Sequence, residues 1–179
     1  MVKKNTTKTK MDKTTSGIII YLISSLNGVL GKTHLQKLIF LADLLASKKF
    51  NKPITKMKYI RYTHGPYSQS LGEYVKCLVS GNFIEERRFP FISNPNKRYS
   101  RFYDKKKTDV KNFLVESIGA EKMLLIDEIV QSYGNKSLQQ VLDFVYSLEE
   151  VKDAKFDSPI KLAKDIKVKD VEPTDEVPF

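Results

Sequence analysis

Apolar residues recur at helical intervals through most of the chain, beginning with Ile18, Ile19, Leu22, Ile23, Leu26 and Leu30. Spacings of three and four residues put such side chains on one face of a helix. The pattern predicts a first helix from about Gly17, ended by Gly28 and Gly31. Next comes "THLQKLIFLADLLASKK", with Leu35, Leu38, Ile39, Ala42 and Leu45 on one face. Thr33 stands three residues before Gln36, the spacing of a capping box in which each side chain satisfies a free backbone N–H of the first turn.

"NKPITK" reads as a turn, and "MKYIRYTHGPYS" as a short β-branched and aromatic strand running into a Gly-Pro turn. Leu71, Tyr74, Val75, Leu78 and Val79 mark a further helix, with Ser68 as cap and Gly81 as stop. Two strand-like runs, "NFIEERRFPF" and "KRYSRFYDKK", flank a turn in "SNPN" and predict a hairpin. From there the period is helical again. Val110, Phe113 and Leu114 precede Gly119; Leu125, Ile126, Ile129, Val130 and Tyr133 precede Gly134. Ser137 with Gln140 forms a second capping-box spacing, opening a helix with Leu138, Val141, Leu142, Val145 and Leu148 inward. The predicted fold class is mainly α (α+β), a multi-helix domain carrying a small winged-helix-like β-hairpin.

Three regions follow. Residues 1–16, Lys/Thr-rich and without apolar periodicity, read as a disordered basic arm. Residues 17–150 form the helical domain, with a basic wing at 83–107. Residues 151–179, with Pro159, Pro173 and Pro178 among alternating charges, read as a loose extension. A protein of 179 residues can bury a core without cross-links. No apolar run approaches the roughly twenty residues that span a bilayer, so the expected location is cytoplasmic, without membrane contact. Cys77, the single cysteine, excludes an internal disulfide and a thiolate metal cluster; on its helix it reads as a small buried hydrophobe.

Charge changes the picture more than composition does. The first 107 residues carry a net +16 and the remainder −6. A chain so polarised attracts an anionic partner to one end. In the wing, Arg87, Arg88, Lys97, Arg98 and Arg101 alternate with Phe89, Phe91, Tyr99, Phe102 and Tyr103. Such interleaving suits phosphates and stacked bases, yet alternate aromatics also glue a hairpin to a helical core, the role expected of them here. The helix before the wing would present Gln69, Gly72, Glu73, Lys76 and Ser80 to a groove. It offers no arginine for guanine and one carboxylate against a polyanion.

Catalytic patterns are missing. His34 lies in the first turn of a helix and His64 beside Gly65 and Pro66; neither stands at a metal-ligand or His/carboxylate spacing. No phosphate-cradling glycine loop or nucleophile elbow occurs. The site assignment is therefore no catalytic residue, no metal and no cofactor, with His64 packing or capping in a turn. Asp43 is expected to pair with a nearby lysine.

One family is similar over most of the sequence. Leu35, Gln36, Lys37, Leu38, Phe40, Ala42 and Asp43, then Gly65, Pro66 and Tyr67, then Gly81, Phe83, Ile84 and Glu85 resemble the hallmark segments of the Panacea domain of SocA-like antitoxins. The stretch "SLQQVLDFVYSLEE" resembles the helix that closes such domains, so the likeness spans roughly residues 17–150. Departures are His64, where the family often has an aromatic, and the short, strongly basic wing. The resemblance implies a mostly helical protein that neutralises a cognate toxin by direct binding, encoded beside it in bacteria or their phages. Members pair with unrelated toxins, and one described mode hands the toxin to a protease. The expected partner-binding residues are Gln36, His64, Gly65, Pro66 and Tyr67, on a toxin or other protein partner. The alternatives are a winged-helix regulator binding nucleic acid through Arg87, Arg88, Lys97, Arg98 and Arg101, and a phage-encoded inhibitor of a host protein.

Overall fold

A computed structural model describes residues 11–26, 31–106 and 109–162. Gly28, Leu30, most of the N-terminal arm and the residues beyond Leu162 lie outside the described residues. Within them are seven helices and two small antiparallel hairpins, a mainly α (α+β) domain as the periodicity predicts.

Helix α1 (Lys13–Ser25) starts four residues before Gly17. The reason is local: the Asp12 carboxylate accepts from the Thr15 N–H at 2.9 Å and its hydroxyl at 2.8 Å, a strong N-cap invisible to apolar spacing. Gly17 matters for packing, since a Cβ there would come within 3.1 Å of the Leu114 side chain.

Helix α2 (Lys32–Phe50) is the centre of the molecule. Thirteen of its nineteen residues are buried, so its single predicted apolar stripe understates the case. Phe40, Leu41, Leu44 and Ala46 are buried alongside Leu35, Leu38, Ile39 and Ala42, while Leu45 stays 36% exposed. The predicted Thr33–Gln36 capping box does not form. Gly31 is the residue with extended backbone (φ −74°, ψ 161°), so Thr33 is already inside the helix and Gln36 is released from the cap.

Strands β1 (Ile60–Tyr62) and β2 (Gly65–Tyr67) pair as Ile60↔Tyr67, Arg61↔Pro66 and Tyr62↔Gly65. Gly65 and Pro66 therefore form a strand, and the turn is Thr63-His64. Helix α3 (Gln69–Ser80) follows, ended at Gly81 as predicted. It buries Leu71, Tyr74, Val75 and Leu78 and leaves Cys77 exposed, against expectation.

Strands β3 (Ile84–Phe91) and β4 (Asn94–Asp104) form the second hairpin, turning at Ile92-Ser93, so that of the predicted "SNPN" only Ser93 is in the turn and the rest opens β4. Only its base enters the core, through Ile84 and Phe102, each 1% exposed. Helices α4 (Lys111–Ile118) and α5 (Ala120–Tyr133) break at Gly119, with φ +87°. In α6 (Leu138–Ser147) the Ser137–Gln140 capping box is present at 3.2 and 2.9 Å. Leu138, predicted inward, is exposed. Around α2 stand α1, α5, α6 and both hairpins.

Beyond α7 (Glu149–Lys152) the described residues are not loose. Val151 is fully buried, and the segment returns along β1: the Arg61 N–H donates to the Ser158 carbonyl and the Ile160 N–H to the Tyr59 carbonyl, both at 2.9 Å. No described helix is long and apolar enough to cross a membrane.

Candidate docking site

The segment from Asn51 to Tyr67 lies along α2 and touches it at two polar points. The first is Asp43, fully buried. Its carboxylate accepts from the backbone N–H groups of Ile54 (2.9 Å) and Thr55 (2.7 Å), from the Thr55 hydroxyl, and from Tyr59 Oη at 2.6 Å. Burial pushes this carboxyl above its ordinary range, while the Thr55, Tyr59 and Ile54 hydrogen bonds pull it back. Among the described residues no lysine pairs with it, and a loop clamp stands where an Asp43–Lys pair is expected. Here "NKPIT" wraps a carboxylate because its backbone donors need an acceptor away from water.

The second point is Lys37, nearer the helix start and 2% exposed. Its Nζ donates to the Pro66 carbonyl at 2.6 Å. Burial, and secondarily the Arg61 guanidinium, lower its pKa to about 8. Gln36, 3% exposed, has an Nε2 with no hydrogen-bond partner among the described residues.

These two side groups face a cavity of 250 Å³ between α2 and the first hairpin. Its other walls include Thr33, Tyr62, His64, Gly65 and Tyr67. Thus four of the five predicted partner-binding residues line one cavity, and the fifth, Pro66, lies behind it as the acceptor for Lys37. Gly65 permits this geometry. Its φ of +79° strains any side-chain-bearing residue, and a Cβ there would approach Lys37 Nζ at 3.8 Å and the Tyr146 ring at 3.5 Å. Tyr146 on α6 holds the hairpin tip, donating to the Thr63 carbonyl at 3.0 Å, and the Arg61 guanidinium lies 4.8 Å above its ring. The Tyr62 and Tyr67 rings are 5.6 Å apart, and Phe156 extends the aromatic surface at 5.5 Å from Tyr62. His64 is exposed, and no carboxylate lines this cavity.

The alternative residues are spread rather than gathered. On the second hairpin Arg87 lies opposite Arg101, while Arg88 and Arg98 take the other face and Lys97 sits near the exposed tip. Arg87 is held by Glu85 through two 3.0 Å bonds, and Arg88 approaches Glu86 at 3.6 Å. The wing aromatics correct the core expectation: Phe102 alone is buried among them. Phe89 and Tyr99 stack at 5.7 Å, and the Arg101 guanidinium sits 5.4 Å from the Tyr99 ring. A second cleft, 790 Å³, opens between this face, the start of α2 and the α5–α6 connection, with Lys32, Arg101 and Lys136 on its walls. His34 lies there, 8% exposed with Nε2 unpartnered among the described residues. Burial lowers its pKa, against a hydrogen bond to the Tyr133 backbone.

Lys37, Tyr62 and Lys32 were missed as site residues from sequence. The available signal was Lys37 itself, since Lys37, Phe40, Leu41 and Leu44 form a second helical stripe in which it is the one polar member.

Residues 35–150 match the family described as Antitoxin SocA-like, Panacea domain, and the chain belongs to that family. Comparison with curated proteins and with solved structures returns no match.

Proposed function

We propose that this protein acts as an antitoxin, a non-enzymatic cytoplasmic protein that neutralises a cognate toxin by direct protein–protein binding. The carrying observation is the cavity between α2 and the first hairpin, within the matched stretch, where His64, Gly65 and Tyr67 converge with Gln36, whose buried amide nitrogen has no partner among the described residues. Buried polar groups in a folded protein are normally satisfied; one left without a partner on the wall of a cavity supports completion by another molecule. Pro66 serves the site through its carbonyl and by fixing the strand beneath it.

The test is co-expression with the product of the adjacent gene. The two proteins should co-purify, and this protein should restore growth that the neighbour suppresses; absence of both effects refutes the reading. Tyr67→Ala should weaken the complex while the protein stays folded, as read by calorimetry and thermal melting.

A second reading rests on the wing. Arg87 and Arg101, opposed on a face with Phe89, Tyr99 and Tyr103, of which Arg101 and Tyr99 border the larger cleft, would suit nucleic acid. It predicts retention of DNA or RNA that weakens steeply with salt and is abolished when Arg87, Arg88, Arg98 and Arg101 become Ala. Retention unchanged in that variant, or absent at low salt, removes it. Inhibition of a host protein would use the same docking cavity with a different partner.

A further inference from the structure

An ammonium group carries three donors and a guanidinium five, and neither can accept. Lys37 spends one donor on the Pro66 carbonyl and has no carboxylate beside it. The charged group that bears on it is cationic too, the Arg61 guanidinium on the adjoining strand; Lys32 also lines the cavity, its charge partly answered by Glu86. Gln36 adds an amide donor with no acceptor among the described residues, itself 3% exposed. Buried positive charge and spare donors thus converge on one small cavity. Its remaining surface is two tyrosine rings, a glycine, a threonine and an exposed imidazole.

Resting on the docking reading above, we propose that this cavity is a socket for a carboxylate, and that the partner supplies it as a glutamate or aspartate side chain. The carboxylate oxygens would take the free donors of Lys37 and Gln36 Nε2, and the methylene arm would lie against Tyr62 and Tyr67. A carboxylate accepts several hydrogen bonds and donates none, which matches a floor made of donors. A terminal carboxylate would also bring a peptide N–H beside it. The acceptor behind the floor, the Pro66 carbonyl, is already engaged by Lys37. An acidic side chain reaches the floor on methylenes and needs no such acceptor. The strongly basic first half of the sequence would draw an acidic partner surface toward this end.

The test titrates the isolated protein with N-acetylglutamate N-methylamide, following the Gln36 side-chain amide and Lys37 ammonium signals by NMR. The glutamine counterpart serves as the neutral control and N-acetylglycine as the terminal-carboxylate control. The glutamate probe should saturate both signals and bind at least about tenfold more tightly than either control. The glutamine control replaces a charge-assisted bond by a neutral one, and N-acetylglycine keeps the charge but lacks the methylene arm and brings a peptide N–H to a floor whose acceptor is already engaged. Lys37→Gln, which keeps a donor for the Pro66 carbonyl, should lose about tenfold in affinity for the glutamate probe. Gln36→Leu supplies a second readout should Lys37→Gln fail to fold, with loss of several-fold. Equal response to the neutral control, tighter binding of N-acetylglycine, or an unchanged affinity in the folded variants overturns the assignment. With the adjacent gene product as ligand the two readings separate. If Tyr67→Ala weakens the complex and Lys37→Gln does not, docking stands and the carboxylate socket falls; if neither weakens it, the docking surface itself is refuted.

Discussion

Asp43 and Lys37 stand six residues apart on α2, both almost wholly withdrawn from water and both facing the Asn51–Tyr67 segment. Their surroundings differ in one respect. Asp43 accepts from two backbone amides and two hydroxyls, so its lone pairs are engaged. Lys37 has one acceptor, and Gln36 beside it has an amide with none among the described residues. Satisfied, a buried charge is architecture: it fixes the loop after α2 and could be exchanged only together with its donors. Under-satisfied, it costs stability in the free protein, a cost that the proposed partner carboxylate would offset.

The largest effect expected from this contrast is at Asp43. Asp43→Asn keeps the shape but turns an NH2 group toward N–H and O–H donors. Stability should fall by about 3–5 kcal/mol, because several buried donors lose their acceptor at about 1–3 kcal/mol each, read as the shift of a urea unfolding curve. A loss below about 1 kcal/mol would show that the loop carries its own weight without the carboxylate.

Lys37 should behave in the opposite sense. Its folded pKa, about 8, lies below the ordinary 10.5, so between these values the unfolded state binds more protons than the folded one. Stability then rises with pH across that window. Below about pH 8 both states are charged and the full penalty of burying the cation applies, about 3 kcal/mol from the size of the shift. Above about 10.5 the penalty has gone. Lys37→Met should remove this rise, judged as the difference between wild-type and variant unfolding curves from pH 7 to 11. At pH 7 its net stability change should stay within about 2 kcal/mol, because relief of the buried charge offsets the Pro66 carbonyl left without a donor. A flat difference curve would mean that Lys37 is not charged at a cost.

The same contrast explains what the sequence pattern made legible. Helices came through because apolar spacing and caps are local: Ser137 with Gln140 closes a capping box as its spacing predicts. Thr33 with Gln36 has the same spacing and does not, because the cap lies two residues before Thr33, at Gly31, and α2 has already begun at Lys32. The four lining residues Gln36, His64, Gly65 and Tyr67 were legible only through family likeness, while Lys37 is an ordinary lysine until the fold closes around it. Asp43 likewise shows nothing in sequence of the donors that reach it from eleven to sixteen residues away. The wing misled for a physical reason: alternating aromatics fit a core-facing strand or an exposed ladder equally well, and here Arg101 rests on Phe89 and Tyr99 instead of a helix. Polar satisfaction is a long-range property, and apolar period carries no record of it.

A smaller test probes the clamp from its other end. Tyr59→Phe deletes one of the four donors to Asp43, a buried hydroxyl at 2.6 Å, and leaves the ring that meets Phe40 edge-on at 5.2 Å. A hydrogen bond to a charged group contributes about 1.5–3 kcal/mol, so the free energy of unfolding from a urea curve should drop by an amount in that range. The variant should bind the partner as wild type does, since the carboxylate network is architectural. Weaker binding at unchanged stability would show that the two polar points on α2 are coupled.

The smallest expected change is the most pointed. Gln36→Leu replaces a buried amide that lacks an acceptor by an apolar side chain of similar length. Removing an unsatisfied buried donor is neutral to stabilising, by up to about 1 kcal/mol, because its desolvation is no longer uncompensated in the folded state. At Asp43 any such apolar replacement would be ruinous, for the donors around it would be stranded. The thermal midpoint of Gln36→Leu should therefore hold or rise while affinity for the partner falls, a separation of folding from binding that a core residue cannot give. If instead the protein loses about 2 kcal/mol or more, Gln36 is bonded within the protein in solution, and the difference between the two polar points on α2 disappears.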